Sequence, residues 1–327
     1  MWHLTVVLLT TVTNLCFASH WGYPTPRPNG EVIVTNLCFA SHWGYPTPRP
    51  NGEVIGPENW GGACDTGQKQ SPVDLSFKAS VRGEFPELLF EDYDEPIVDA
   101  KVLNTGHSIQ INVGSRPNVV LSGGGLPSEQ YVMEQMHFHW GSEHTINGRR
   151  YALELHMVHF DSKYPNVQTA VANKDGVAVL GVLFYVSSQA NPDLENILNS
   201  SRTAKDGVGM SDPLLQPLAP ETLLPQIRDS YFRYEGSLTT PSCGEAVIWT
   251  VFTQSLPISF DQLERFKTIK TNNGTLLTHN FRTVQPLNAR PLVYVAPIDY
   301  ELENSSSNTM KFSSALAICI FVAYLFA

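Results

Sequence analysis

A mainly β fold is predicted, on two observations. Polar and apolar side chains alternate along residues 134–140, and they alternate again along residues 151–160. Along Glu134-Gln135-Met136-His137-Phe138-His139-Trp140, period-two geometry places Gln135, His137 and His139 on one face and Met136, Phe138 and Trp140 on the other. Along residues 151–160, Glu154, His156 and Val158 share a face opposite Leu153, Leu155, Met157 and His159. Farther on, Val247 and Trp249 also fall on one strand face.

If the first two strands are neighbours, His137, His139 and His156 converge. Three neutral imidazoles hold one zinc ion and leave its fourth position open, which is the pattern of a catalytic site rather than a structural one. Gln135 and Glu154 on the same faces are of the types that fix a ligand tautomer by hydrogen bonding. Taken alone, a His-x-His on a strand is also the pattern of two half-buried histidines; His156, Gln135 and Glu154 weigh toward the metal. His159 faces away and is expected to be structural, and His144 and His279 are expected to be satisfied or solvated.

The ends set the compartment. Residues 1–18 begin with the apolar run Leu4-Thr5-Val6-Val7-Leu8-Leu9 and end in small residues, as in a secretory signal peptide. Residues 303–327 join small residues, a polar spacer and an apolar tail from Ala315 that falls short of the roughly 20 residues of a membrane span. That pattern is a glycosylphosphatidylinositol anchor signal, with a short tail-anchoring helix as the competing reading. Processing at both ends removes Cys16 and Cys319 from the five cysteines, leaving Cys38, Cys64 and Cys243. Asn199, Asn273 and Asn304 lie in glycosylation sequons. The formal charge of −10, without a Lys/Arg run, lacks the footprint of a nucleic-acid binder.

In chain order come Ser41-His42-Trp43-Gly44-Tyr45, Trp60-Gly61-Gly62-Ala63-Cys64, Gln70-Ser71-Pro72-Val73-Asp74, Asn104-Thr105-Gly106-His107, Gln135 to Gly141, Glu154 to His159, Gly236-Ser237-Leu238-Thr239-Thr240-Pro241 and Asn280 to Pro286. Together these resemble the α-class carbonic anhydrases, of the secreted, lipid-anchored membrane-bound type, from about Ser41 to about Pro297. The resemblance implies one domain, residues 41–302, on a large, twisted, mostly antiparallel sheet of about ten strands with short peripheral helices.

It further implies reversible hydration of carbon dioxide to bicarbonate and a proton, with Zn2+ held by His137, His139 and His156 and oriented through Gln135, Glu154 and the Asn280 carbonyl. In this family the zinc-bound water ionises near ~7, so hydroxide is present at neutral pH. By the same resemblance Thr239 accepts the hydroxide proton and passes its own hydroxyl hydrogen to Glu143. Val158, Val179, Leu238, Val247 and Trp249, with Thr240, form the substrate pocket, and His107 is the proton shuttle, a task suited to imidazole. Cys64 and Cys243 match a disulfide of secreted and membrane-bound members. The expected setting is the outer face of the cell membrane, on a lipid anchor, with a small-molecule substrate and no nucleic acid.

Two departures from the family pattern stand out. Residues 12–33 are repeated without change as residues 34–55, which makes residues 19–40 a surplus copy and leaves Cys38 unpaired. A recent tandem duplication or a misassembled gene sequence accounts for this. In addition, only Trp140, Gly141 and Ser142 separate His139 from Glu143, where family members carry a longer connection. Two placements of Glu143 stay open: beside Thr239, or pulled out of register. The resulting His-x-His-x-x-x-Glu also resembles the first metal motif of the cupins, with Glu143 as a fourth ligand. The functional alternatives are therefore a catalytically silent cell-surface recognition domain and a cupin-type metal enzyme.

Overall fold

The structure is a computed structural model that describes residues 43–46, 56–113 and 118–297. The signal segment, the surplus copy, Cys38, Asn304 and the apolar tail lie outside the described residues.

The described residues build a 13-stranded sheet and a second, 3-stranded one made from Asp74–Leu75, Thr145–Ile146 and Arg149–Arg150. Ten strands of the large sheet form a continuous path, and its centre runs Ile109–Asn112, Tyr131–Trp140, Leu153–Asp161, Val177–Ser187, Val247–Phe252, Tyr231–Gly236. Three short strands, Leu88–Glu91, Val120–Gly123 and Leu256–Ser259, attach off that path. The path itself holds the expected ten, and these three short strands bring the sheet to 13. Most pairings are antiparallel; Val177–Ser187 runs parallel to both Val247–Phe252 and Leu256–Ser259. Its first eight residues are all buried, as expected of a strand covered on both faces.

Both alternating segments are strands, and they are neighbours. His156 lies opposite His137, and Glu154 opposite His139, in antiparallel register. The apolar face, with Met136, Phe138, Trp140, Leu155 and Met157, enters the larger core beside Ile109, Leu180 and Val182. The other face carries a second cluster around Val158, Val179, Val247 and Trp249. Register shifts between Val158 and His159, leaving Glu134 unpaired on the facing strand. His159 is fully buried, with Nε2 2.5 Å from the Tyr93 hydroxyl and Nδ1 donating to the Ala178 carbonyl at 3.2 Å.

The helices are short and peripheral. Pro192–Ser200 is capped by the Asn191 side chain, and Phe260–Phe266 by a reciprocal Ser259/Gln262 capping box. Asn199 sits exposed on the first of these, where its Oδ1 accepts from Arg265 at 2.7 Å; Asn273 sits exposed in the turn closed by the Gly274 N–H on the Thr271 carbonyl.

Candidate metal centre and active site

One ring nitrogen from each of His137, His139 and His156 lies within 4.8 Å of the others. Adjacent strands and a shared face bring this about, and the ring centroids stand 4.6 to 5.1 Å apart. The outer nitrogen of each ring is engaged. His137 Nδ1 donates to Gln135 Oε1 at 2.9 Å, His139 Nδ1 to the Asn280 carbonyl at 2.6 Å, and His156 Nε2 to Glu154 Oε1 at 2.9 Å. These acceptors fix the tautomers and leave His137 Nε2, His139 Nε2 and His156 Nδ1 as donors toward a metal.

The residues fit a zinc ion. His139 Nε2 is a buried polar atom without a hydrogen-bond partner among the described residues, a costly state that a cation relieves. Burial pushes the pKa of His139 down to about 4 and that of His156 below its ordinary value. His137, which keeps some solvent contact, is also shifted well down, by desolvation and then by the neighbouring His139 and His156 rings. All three are therefore neutral at pH 7, the form that binds metal. A second candidate group, His144, Glu154 and His156, shares its members with the network around the first. Glu154 Oε1 already accepts from both rings there, so we assign that group a supporting role.

Glu154 anchors more than His156. Its Oε2 accepts from the Glu143 and His144 N–H groups at 2.7 and 2.8 Å, and His144 Nε2 continues to the Tyr234 hydroxyl at 2.6 Å. Burial pushes the Glu154 carboxyl upward, but the His144 and His156 rings outweigh it and hold the group well below the usual carboxylate range. Gly181 makes the space: a Cβ there would stand 3.3 Å from Glu154 Oε1 and 3.1 Å from Val251.

Glu143 is fully buried, and its Oε1 accepts from the Arg282 N–H at 2.8 Å. Burial raises its pKa to about 7 against the opposing pull of His156, the Thr239 side chain and the Arg282 N–H. Thr239 thus stands close enough to act on the carboxyl, while Oε2 completes no hydrogen bond of ordinary geometry. Oε2 lies 3.5 Å from His139 Nε2 and 4.0 Å from His156 Nδ1. The short connection therefore leaves Glu143 beside both Thr239 and the histidines, and the metal-holding group of three does not include it.

Val158, Val179, Val247 and Trp249 are buried in one cluster, with Leu238 packed against it. Trp249 stands edge-on to His156, ring centroids 4.7 Å apart, so this apolar wall borders the histidine site. Thr240 lies in the same loop, its carbonyl accepting from Cys243 N–H at 2.7 Å. Cys64 and Cys243 form a disulfide across a separation of 179 residues. His107 is partly exposed and stacks on Trp43 with ring centroids 3.7 Å apart. Its carbonyl accepts from Asn280 Nδ2 at 2.9 Å, which ties the His107 turn to the segment that holds His139.

Arg282 and Tyr45, not singled out above although each lies in a segment that carries the resemblance, also take part. Arg282 is 2% exposed and donates to Gln70 Oε1, Ser71 O and Cys64 O while its backbone holds Glu143. Tyr45 is buried, its hydroxyl unpartnered among the described residues and its pKa raised by desolvation and by nearby Glu143. A lone Arg or Tyr in a loop reads as surface; membership of the motif segments Ser41 to Tyr45 and Asn280 to Pro286 is the signal that could have flagged them.

The eukaryotic-type carbonic anhydrase family matches residues 55–296. The chain is 37% identical over 235 residues to carbonic anhydrase 1 of Oryctolagus cuniculus, covering 68% of this chain and 97% of that protein. It is 35% identical over 255 residues to carbonic anhydrase 15 of Mus musculus, covering 72% of this chain and 78% of that protein. On this extent of match, carried by a mainly β sheet that converges three histidines, the chain belongs to the eukaryotic-type carbonic anhydrase family.

Proposed function

We propose that the chain is an active zinc carbonate dehydratase that interconverts carbon dioxide and bicarbonate. The observation that carries this reading is the cluster of His137, His139 and His156, each with its outer nitrogen engaged and its inner nitrogen left for the metal. Zinc held there supplies a Lewis acid and brings hydroxide within reach at neutral pH. Gln135, Glu154 and the Asn280 carbonyl keep the three rings in the metal-binding tautomer.

Thr239 and Glu143 orient the nucleophile. With its own hydrogen donated to Glu143, the Thr239 oxygen would have only a lone pair to offer and would orient a nucleophilic oxygen beside the histidines. Val158, Val179, Leu238, Val247 and Trp249 present an apolar wall suited to carbon dioxide, with Thr240 at its edge. His107 would carry the proton released by hydration to buffer.

Stopped-flow hydration with parallel metal analysis tests this. One zinc per chain with hydration well above buffer is the expected result. A zinc-loaded chain without hydration would reject the enzyme and leave the recognition module.

The proposed setting is the outer cell surface, on a lipid anchor attached before the tail in residues 303–327, with residues 1–18 removed as a signal and the disulfide suited to an oxidising compartment. Phosphatidylinositol-specific phospholipase C is expected to release the protein, whereas retention after complete digestion points to a tail helix. Asn273, exposed in a turn, is the better glycosylation acceptor than Asn199, which is helical and bonded to Arg265. Peptide mapping of the mature amino terminus decides whether residues 19–40 are present.

A further inference from the structure

Only Trp140, Gly141 and Ser142 connect the ligand His139 to Glu143, so the chain must turn within them and deliver a buried carboxylate to a fixed place. Gly141 makes that turn at φ +72°, and the Gly141 and Ser142 N–H groups donate to the Ala152 and Tyr151 carbonyls. The outward carbonyls of the turn need partners of their own.

Arg150 supplies one. Its Nη1 donates to the Ser142 carbonyl and makes a weaker contact at 3.5 Å with the Glu143 carbonyl. The guanidinium lies 4.1 Å over the Phe281 ring. That ring in turn fills the space where a Cβ on Gly141 would stand, 2.5 Å from Phe281 Cδ1. The next residue, Arg282, donates the N–H that holds Glu143 Oε1. The backbone of Glu143 and its carboxylate are thus gripped from two sides of one ring.

We propose that Arg150, stacked on Phe281, is the positioning residue that keeps Glu143 beside Thr239. This rests on the hydration reading above. The guanidinium combines a planar face for the ring with a donor directed at the carbonyl, which an ammonium cannot do at once.

The experiment compares Arg150→Ala, Arg150→Lys and Phe281→Leu with the parent chain, all zinc-loaded. It reads amide hydrogen exchange at Glu143 and His144, zinc affinity, thermal midpoint and kcat/KM. Loss of a charge-assisted bond should speed exchange at these two amides by about tenfold in Arg150→Ala, with exchange elsewhere unchanged. kcat/KM should fall by about tenfold or more, because a displaced positioning group is costly, while zinc affinity stays within about twofold. Arg150→Lys should recover part of both losses, and Phe281→Leu should reproduce them more weakly without removing the charge.

Unchanged exchange at Glu143 and His144 in Arg150→Ala overturns the proposal. So does acceleration spread evenly over the domain with a matching fall in thermal midpoint, the mark of a general structural role. If the parent chain fails to hydrate carbon dioxide, the hydration reading falls and Arg150 loses its catalytic meaning, while the exchange data still decide whether it holds the turn.

Discussion

The Asn280 carbonyl accepts a 2.6 Å hydrogen bond from His139 Nδ1, across 141 residues of chain. The side chain of the same asparagine accepts from the Trp140 N–H and donates to the Phe138 and His107 carbonyls. One loop residue thereby sets the tautomer of a candidate ligand, the backbone on either side of it and the turn that carries His107.

Outer partners of this kind should govern metal affinity more than fold. Gln135→Ala removes the acceptor of His137, and Glu154→Gln weakens that of His156. Each is expected to lower zinc affinity by about 10- to 100-fold in a chelator competition. Glu154→Gln should cost more, since Glu154 Oε2 also holds the Glu143 and His144 N–H groups.

His107→Ala should slow carbon dioxide hydration in weak buffer and leave it nearly unchanged in concentrated buffer, with imidazole restoring the rate. Stopped-flow measurement across buffer concentrations checks this. An unchanged buffer dependence removes His107 from proton transfer. Its stack on Trp43, at 3.7 Å between centroids, predicts that Trp43→Ala alters the same buffer dependence without changing zinc content.

The Cys64–Cys243 bridge closes a loop of 179 residues and ties the Cys64 turn to the Thr239 loop. Replacing both cysteines by serine should cost about 2–4 kcal/mol in denaturant unfolding. Hydration should fall under conditions where the fold persists, because the carbonyl of Cys64 also receives the Arg282 guanidinium.

Burial keeps His159 neutral down to about 4, whereas in the unfolded chain it titrates near ~6.5. The unfolded state therefore binds the extra proton between these values. The stability due to this difference is complete above ~6.5 and is lost as pH falls toward about 4, a change of about 3 kcal/mol. Urea unfolding of metal-free protein should show His159→Gln with a flatter pH dependence over that window than the parent chain. Equal slopes would place the acid sensitivity at other groups.

Alternation in residues 134–140 and 151–160 was enough to determine two strands, their inward faces and three candidate ligands, because side-chain direction in a strand has period two and depends only on local order. The motif series likewise pointed to the family and to Thr239, Glu143, His107 and the cysteine pair. The edge strands, the bulge beside His159 and the contacts of Arg282 and Arg150 with Glu143 and its connection were not legible. Whether Glu143 followed its short connection out of register depended on Arg282 and Arg150, far apart in sequence and unremarkable in composition. Tertiary structure alone decided that, because a buried carboxylate takes its place from the donors that surround it, and those donors come from segments that meet only when the sheet is formed.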